Sequence, residues 1–144
     1  GPTLVSHLDV TPQNVVVRDG QAVALIDFDL ARRATPYLEC RNTAMHWVPL
    51  CDPVDVYPTW HGIDQLRRLR LFVDRFGLAE ELRRRFVADE ITRADLTWSR
   101  MKEHAETQGG GWARMWAEGV GDKIRRRQSW LRATAADITA ALTD

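Results

Sequence analysis

The dipeptide Asp19-Gly20 sits between two apolar runs, Val15-Val16-Val17 and Ala22-Val23-Ala24-Leu25-Ile26, and it constrains the path of this 144-residue chain more than any other feature. An Asp-Gly pair supplies the two consecutive left-handed positions that a two-residue hairpin loop requires, so the flanking runs are expected to be antiparallel strands. With Arg18 opposite Gln21, Val16 faces Val23, Asn14 faces Leu25, and Asp27 falls diagonally across from Asn14. Side chains alternate between the faces of a strand. One face therefore collects Val15, Val17, Ala22, Ala24, Ile26 and Phe28, all suited to a core. The other collects Asn14, Val16, Val23, Leu25, Asp27 and Asp29.

The polar members of that second face carry the chemistry. Diagonal cross-strand neighbours stand about 7–8 Å apart, close enough for two short oxygen-bearing side chains to lean toward one cation. A hard ion such as Mg²⁺ takes one or two protein oxygens and completes its shell with phosphate and water. Asn14 and Asp27 are therefore the candidate metal ligands. Asp9 lies five residues before Asn14, in a loop that Pro12 keeps out of regular structure. Its carboxylate is a candidate base toward an attacking hydroxyl. The run His-x-Asp-x-x-x-x-Asn is by itself ordinary turn chemistry, since Asp and Asn favour turns. Ile26-Asp27-Phe28-Asp29, closing a correctly placed second strand, is what makes the combination specific.

Residues His7 to Asp29 resemble the C-terminal lobe of the aminoglycoside phosphotransferase and choline kinase-like family, which has a protein-kinase-like fold. In that family the loop commonly reads H-G-D-x-x-x-x-N and the second strand ends in I-D-F or I-D-x; His7, Asp9, Asn14 and Ile26-Asp27-Phe28 match. The resemblance implies an α+β, mainly α-helical lobe in which a catalytic-loop hairpin packs on a helical bundle. It implies Asp9 as catalytic base, His7 bracing the loop, Asn14 and Asp27 holding Mg²⁺ against the phosphates of ATP, and Val16 and Ile26 approaching the nucleotide. The acceptor it implies is a hydroxyl of a small molecule, aminoglycoside-like or an amino alcohol. Three positions depart from the pattern: Leu8 replaces the usual glycine after the histidine, Thr11 a frequent second histidine, and Gln13 the glycine before the asparagine. Beyond Asp29 the agreement is in helical pattern and not in motif.

A kinase-like enzyme also uses a strand-rich lobe with a phosphate-contacting lysine and a loop over the phosphates. Only six residues precede His7, and the two lysines, Lys102 and Lys123, fall in helical patterns. Gly109-Gly110-Gly111 lacks the lysine of a phosphate loop. The expectation is a C-terminal piece of a longer phosphotransferase, without its N-terminal nucleotide lobe. The alternative is a catalytically incomplete lobe acting as a binding or scaffold module, or one completed by a second copy or another chain. Gly1-Pro2 fits a protease-cleavage scar or native sequence equally.

Twenty basic residues balance twenty acidic ones, which argues against a dedicated nucleic-acid or membrane-surface binder. Neither an apolar run of spanning length nor a secretory signal is visible, so a cytoplasmic address is expected. Cys40 and Cys51 lack metal-type spacing and are expected to be free, partly buried thiols. His46, His61 and His104 share no ligand spacing, which argues against zinc.

The chain divides into a catalytic loop and metal-binding hairpin over 1–29, a proline-interrupted linker over 30–58, and a helical subdomain over 59–144, all within one lobe able to bury a core. The linker is expected to hold a short helix near Tyr37 to Trp47, ended by Pro49. Helical stripes then follow: Ile63, Leu66, Leu69, Val73 and Phe76, stopped by Gly77; Leu78, Leu82 and Phe86; Ile91, Ala94, Trp98, Met101 and Ala105, ended by the triple glycine; Trp112, Met115, Trp116, Val120, Ile124 and Leu131; and finally Ile138 and Leu142. Arg83-Arg84-Arg85 and Arg125-Arg126-Arg127 read as solvated helix faces, and Trp112, Trp116 and Trp130 as core or intersubunit packing. An acceptor pocket belongs between the site and the helices. Asp52, Asp55 and Asp64 are candidates for gripping a cationic substrate there, although each is equally a turn former or helix cap. Trp47, Tyr57 and Trp60 are candidate lining residues.

Overall fold

Asp19 and Gly20 adopt φ of 48° and 74°, and the hairpin closes with Arg18 opposite Gln21, as expected from the Asp-Gly turn. The computed structural model describes residue 1 and residues 3–144; Pro2 of the Gly1-Pro2 pair lies outside the described residues. Among the described residues, four short strands, β1 (Leu4–Ser6), β2 (Val15–Arg18), β3 (Gln21–Leu25) and β4 (Arg32–Ala34), are followed by six α-helices. These are α1 (Pro36–Trp47), α2 (Gln65–Phe76), α3 (Glu80–Thr107), α4 (Gly110–Ala117), α5 (Val120–Ala133) and α6 (Ala135–Thr143). The protein is α+β and mainly helical, and no helix among the described residues is long and apolar enough to cross a membrane.

Two antiparallel pairs make up the strand layer, β2 with β3 and β1 with β4. The second pair escapes sequence reading because three-residue strands show no period, yet it clamps the base of the site. It pairs Ser6, next to His7, with Arg32, just after the Asp27–Asp29 turn. Register in the first pair departs from expectation two residues beyond the turn. Val17 pairs with Ala22 but Val16 with Ala24, so Val23 is a bulge with no partner. Asn14 therefore lies opposite Ile26, whose N–H donates to the Asn14 carbonyl at 3.0 Å, and not opposite Leu25.

The expected seating of the hairpin on the core needs correction. Every residue of β3 is exposed, with Val23 52% and Leu25 41% accessible, and Val17, Ile26 and Phe28 are open as well. Val15, Ala22 and Ala24 line an open groove facing Trp47 on α1 and Phe72 on α2. The sequence pattern identified which residues avoid water but not whether a neighbour covers them.

Helix limits follow capping chemistry. Pro36 occupies the first turn of α1, and Thr35 Oγ1 accepts from the Leu38 N–H at 3.1 Å. Asp64 caps α2 by accepting from Arg67 N–H, and Gly77 ends that helix at φ 78°. The stripes ending at Phe86 and beginning at Ile91 belong to one 28-residue helix, α3, because no glycine or proline separates them. The Trp112–Leu131 stripe is instead split at Gly119, with φ 96°, into α4 and α5. The two meet closely: a Cβ on Gly121 would lie 2.8 Å from the Trp116 ring, so only glycine lets α5 begin there. Trp116 in turn packs edge-on against Trp98 of α3.

Helix α3 is the spine, with α4, α5 and α6 against it and α6 also against α2. Leu69, Val73, Phe86, Ala94, Leu131, Ile138 and Leu142 form its core with Cys40 and Ala44 of α1 and Val48 at its C-cap. Both cysteines are free, and burial pushes the Cys40 thiol up to about 12, which leaves it an unreactive packing atom. Inside this core sits a charge. Glu90 is 0% exposed; its Oε1 accepts from Arg41 of α1 at 2.7 Å, and its Oε2 accepts from Arg93 of α3 at 2.5 Å and Arg127 of α5 at 2.9 Å. The arginine runs are therefore not merely solvated faces. Arg127 and Arg83 are 14% and 13% exposed at their side chains and reach the Leu50 and Leu78 carbonyls, whereas Arg84 and Arg85 pair outside with Glu80 and Asp89.

Removing one partner from such a buried cluster leaves uncompensated charge. Glu90→Ala should lower unfolding free energy by about 3–5 kcal/mol, read from urea denaturation, whereas the exposed pair partner Glu80→Ala should cost about 0–1 kcal/mol.

Candidate active site

One face of α1 is apolar and enters the core through Cys40, Ala44 and Val48. The residues between them recur at helical spacing on the other face, and these hold the loop that runs from His7 to Asn14. Glu39 Oε2 accepts from Leu8 N–H at 3.4 Å, Asn42 Nδ2 donates to Leu8 O at 2.6 Å, and Trp47 Nε1 donates to Val10 O at 2.6 Å. The grip is needed because Leu8 has φ 58°, a left-handed conformation costing a branched side chain about 1–2 kcal/mol. Leu8 is the residue that stands where the resembled family has glycine. The polar face of α1 thus holds in place a loop whose sequence would not hold itself.

Within the loop, His7 is a buried crosspiece. Its Nε2 donates to Ile26 O at 2.9 Å, its Nδ1 accepts from Asp9 N–H at 3.2 Å, and its ring packs on Phe28 with centroids 4.5 Å apart. Asn14 is also buried, and its Nδ2 donates both to the Asp9 carbonyl and to Asp9 Oδ2, each at 2.9 Å. Asp9 and Asn14 are therefore in contact, with Asp9 Oδ1 and Asn14 Oδ1 free of hydrogen bonds among the described residues. Ile26 ties the second strand to this pair, since its N–H bonds Asn14 and its C=O accepts from His7. Asp27 is consequently one residue beyond the partner of Asn14, and not diagonal to it across an unbroken ladder. The Val23 bulge makes the difference. Asp27 is exposed, with φ 60°, and its Oδ1 accepts weakly from Asp29 N–H at 3.4 Å. Val16 is half-buried beside Ala24, and the Ile26 side chain is open.

This donor set can be tested for fit to Mg²⁺. No group of three or more His, Cys, Asp or Glu side chains among the described residues could enclose a metal. Asn14 Oδ1 and the Asp27 carboxylate are hard oxygen donors, one neutral and one charged. Such a pair fits an ion that keeps most of its shell for phosphate and water, and would not suit zinc.

Beside the loop lies a cavity of about 560 Å³, walled by Pro12 and Gln13 of the loop, His46 of α1, Tyr57, Trp60, and Lys123 and Arg127 of α5. Tyr57 and Trp60 meet edge to face at 6.3 Å, as expected for lining residues, but Trp47 faces the groove on the other side of α1. Burial holds the His46 imidazole below its ordinary 6.5, against the opposing pull of the nearby Asp9 carboxylate. Of the three acids expected to grip a cation, Asp52 accepts from Val54 N–H and Asp64 from Arg67 N–H, so both are caps. Asp55 is held by Arg126 at 2.7 and 2.8 Å, which keeps its carboxyl below the usual range. Sequence reasoning missed Glu39, Asn42, His46 and Lys123. The signal was present, since Glu39, Asn42, Thr43, His46 and Trp47 form a polar stripe at helical spacing.

No protein-family model, curated protein or solved structure matches this chain.

Two outcomes follow from this geometry. Asn42→Ala should cost about 1–3 kcal/mol by orphaning the Leu8 carbonyl, and should speed hydrogen exchange at Asp9 N–H more than at Leu69 N–H. His46 takes its proton more readily unfolded than folded. Its contribution is therefore fully present above pH 6.5 and is lost as pH falls through the unfolded value toward the lower folded one. Urea midpoints measured from pH 7.5 to 5 should fall more steeply for the native chain than for His46→Gln.

Proposed function

We propose that this chain is the hydroxyl-activating lobe of an ATP-dependent phosphotransferase acting on a small molecule. One observation carries the reading. Asn14 turns its amide nitrogen to Asp9, which orients the carboxylate and leaves Asn14 Oδ1 free on the same pair of residues. A proton acceptor and a metal-oxygen donor therefore share one fixed unit, with the acidic Asp27 beginning one residue from the backbone bond that joins the strands.

In this reading Asp9 Oδ1 accepts the proton of the acceptor hydroxyl as its oxygen bonds to the γ-phosphorus of ATP and the bond to the β-phosphate bridging oxygen breaks, releasing ADP. Asn14 and Asp27 would hold Mg²⁺, which when bound neutralises phosphate charge. His7 keeps Asp9 and the second strand in register through its two ring nitrogens. The exposed side chains of Ile26 and the half-buried Val16 offer an apolar surface to the nucleotide base.

A second reading is favoured by the uncovered hairpin: a kinase-like lobe that works as a binding module or is completed by another chain. The exposed apolar residues of β3 and the groove of about 700 Å³ between the hairpin and α1–α2 support it. Titration calorimetry with Mg·ATP separates the two. The first reading expects saturable heat from this chain that Asp27→Ala abolishes and Asp9→Asn retains. No heat from the native chain favours the second.

A further inference from the structure

The cavity beside the catalytic loop has the wrong charge for the polycationic acceptor that family resemblance suggests. An ammonium-bearing substrate needs carboxylates with free oxygens. Asp52 and Asp64 cap helices and do not line the cavity, and Asp55, which does, faces Arg126 with both oxygens. Against this, Lys123 lines the cavity, is exposed, and forms no ion pair among the described residues. Cys51 and Asp55 line the same cavity as Lys123. Arg127 adds a second positive charge, with its fork fixed by Leu50 O and Glu90. The facing surface is aromatic: Tyr57 is exposed and stands edge-on to Trp60.

We infer that this cavity takes an alcohol carrying a carboxylate, with the carboxylate read by Lys123, a planar or apolar body on Tyr57 and Trp60, and the hydroxyl turned toward the loop. The inference rests on the phosphotransferase reading only in treating the bound alcohol as the acceptor. One mobile ammonium matches one carboxylate as a point charge, whereas the guanidinium that suits bidentate anion binding is already occupied.

A matched series isolates the charge: 4-(hydroxymethyl)benzoate, 1,4-benzenedimethanol and 4-(hydroxymethyl)benzylamine, each titrated into the full chain without nucleotide and followed by amide chemical shifts. The benzoate should bind about fivefold more tightly than the diol, the size of a solvent-accessible ion pair, with the amine weakest and shifts centred on Gln13, Tyr57, Trp60 and Lys123. Lys123→Gln, an exposed and unpaired position whose loss does not threaten folding, should erase the advantage of the benzoate over the diol, and added salt should shrink it in the native chain. Equal binding of all three, binding of none, tightest binding by the amine, or an undiminished benzoate preference in Lys123→Gln would overturn the inference. Because nucleotide is absent throughout, a failure of Mg·ATP to bind leaves this result standing.

Discussion

Glu90 joins three helices through one carboxylate. Arg41 of α1 reaches Oε1, and Arg93 of α3 and Arg127 of α5 share Oε2, all where water is excluded. A buried ion cluster is weak evidence for stability, since desolvation offsets most of its attraction, but it is strong at fixing geometry because few arrangements satisfy it. Burial pulls the Arg93 guanidinium down, and its Nε has no partner among the described residues, so the cluster is held by its network and not by ideal pairs. The same guanidinium groups continue outward. Arg41 donates to Asp89 O, and Arg127 donates to Leu50 O at the edge of the cavity. The position of α1, and with it the site, is set from this point.

Helix α1 passes that constraint on. Its apolar face is locked into the core by Cys40, Ala44 and Val48, and its polar face then meets the His7–Asn14 loop. Glu39, Asn42 and Trp47 each take a backbone group of the loop, which leaves Leu8 left-handed and brings the following Asp9 to Asn14. Strain at Leu8 and at Asp27, the two non-glycine positive-φ residues outside the hairpin turn among the described residues, brackets the site. Conformations of this kind persist where surrounding contacts over-determine them. A loop lacking the glycine of the resembled pattern nonetheless takes up a glycine-type turn, because the helix beside it supplies the hydrogen bonds.

The uncovered hairpin and the filled core are two outcomes of one rule, that apolar patterning sets what seeks cover but not what provides it. In the helices the stripes found one another around α3, and only Phe76 and Met115 among the stripe residues remain substantially open. In the hairpin, beside the bulge and the groove toward α2, Val17, Val23 and Ile26 remain exposed. The proposed chemistry sits on the tied edge of the hairpin, where Ile26 is bonded to both His7 and Asn14, and so does not depend on the open strand being covered.

Residues near in sequence decided the turn at Asp19-Gly20, the caps at Thr35, Asp64 and Gly77, and the helical stripes, because each is a matter of local dihedral preference or of one period. The spacing of Asp9, Asn14 and Asp27 was equally plain, and so was their oxygen chemistry. Tertiary structure alone decided the rest. It slipped the register at Val23 and turned Asp55 to Arg126, 71 residues away. It also buried Glu90 among arginines from three helices. Those outcomes depend on which distant group supplies a hydrogen bond or excludes water, and a pattern of apolar and polar letters carries no record of that partner.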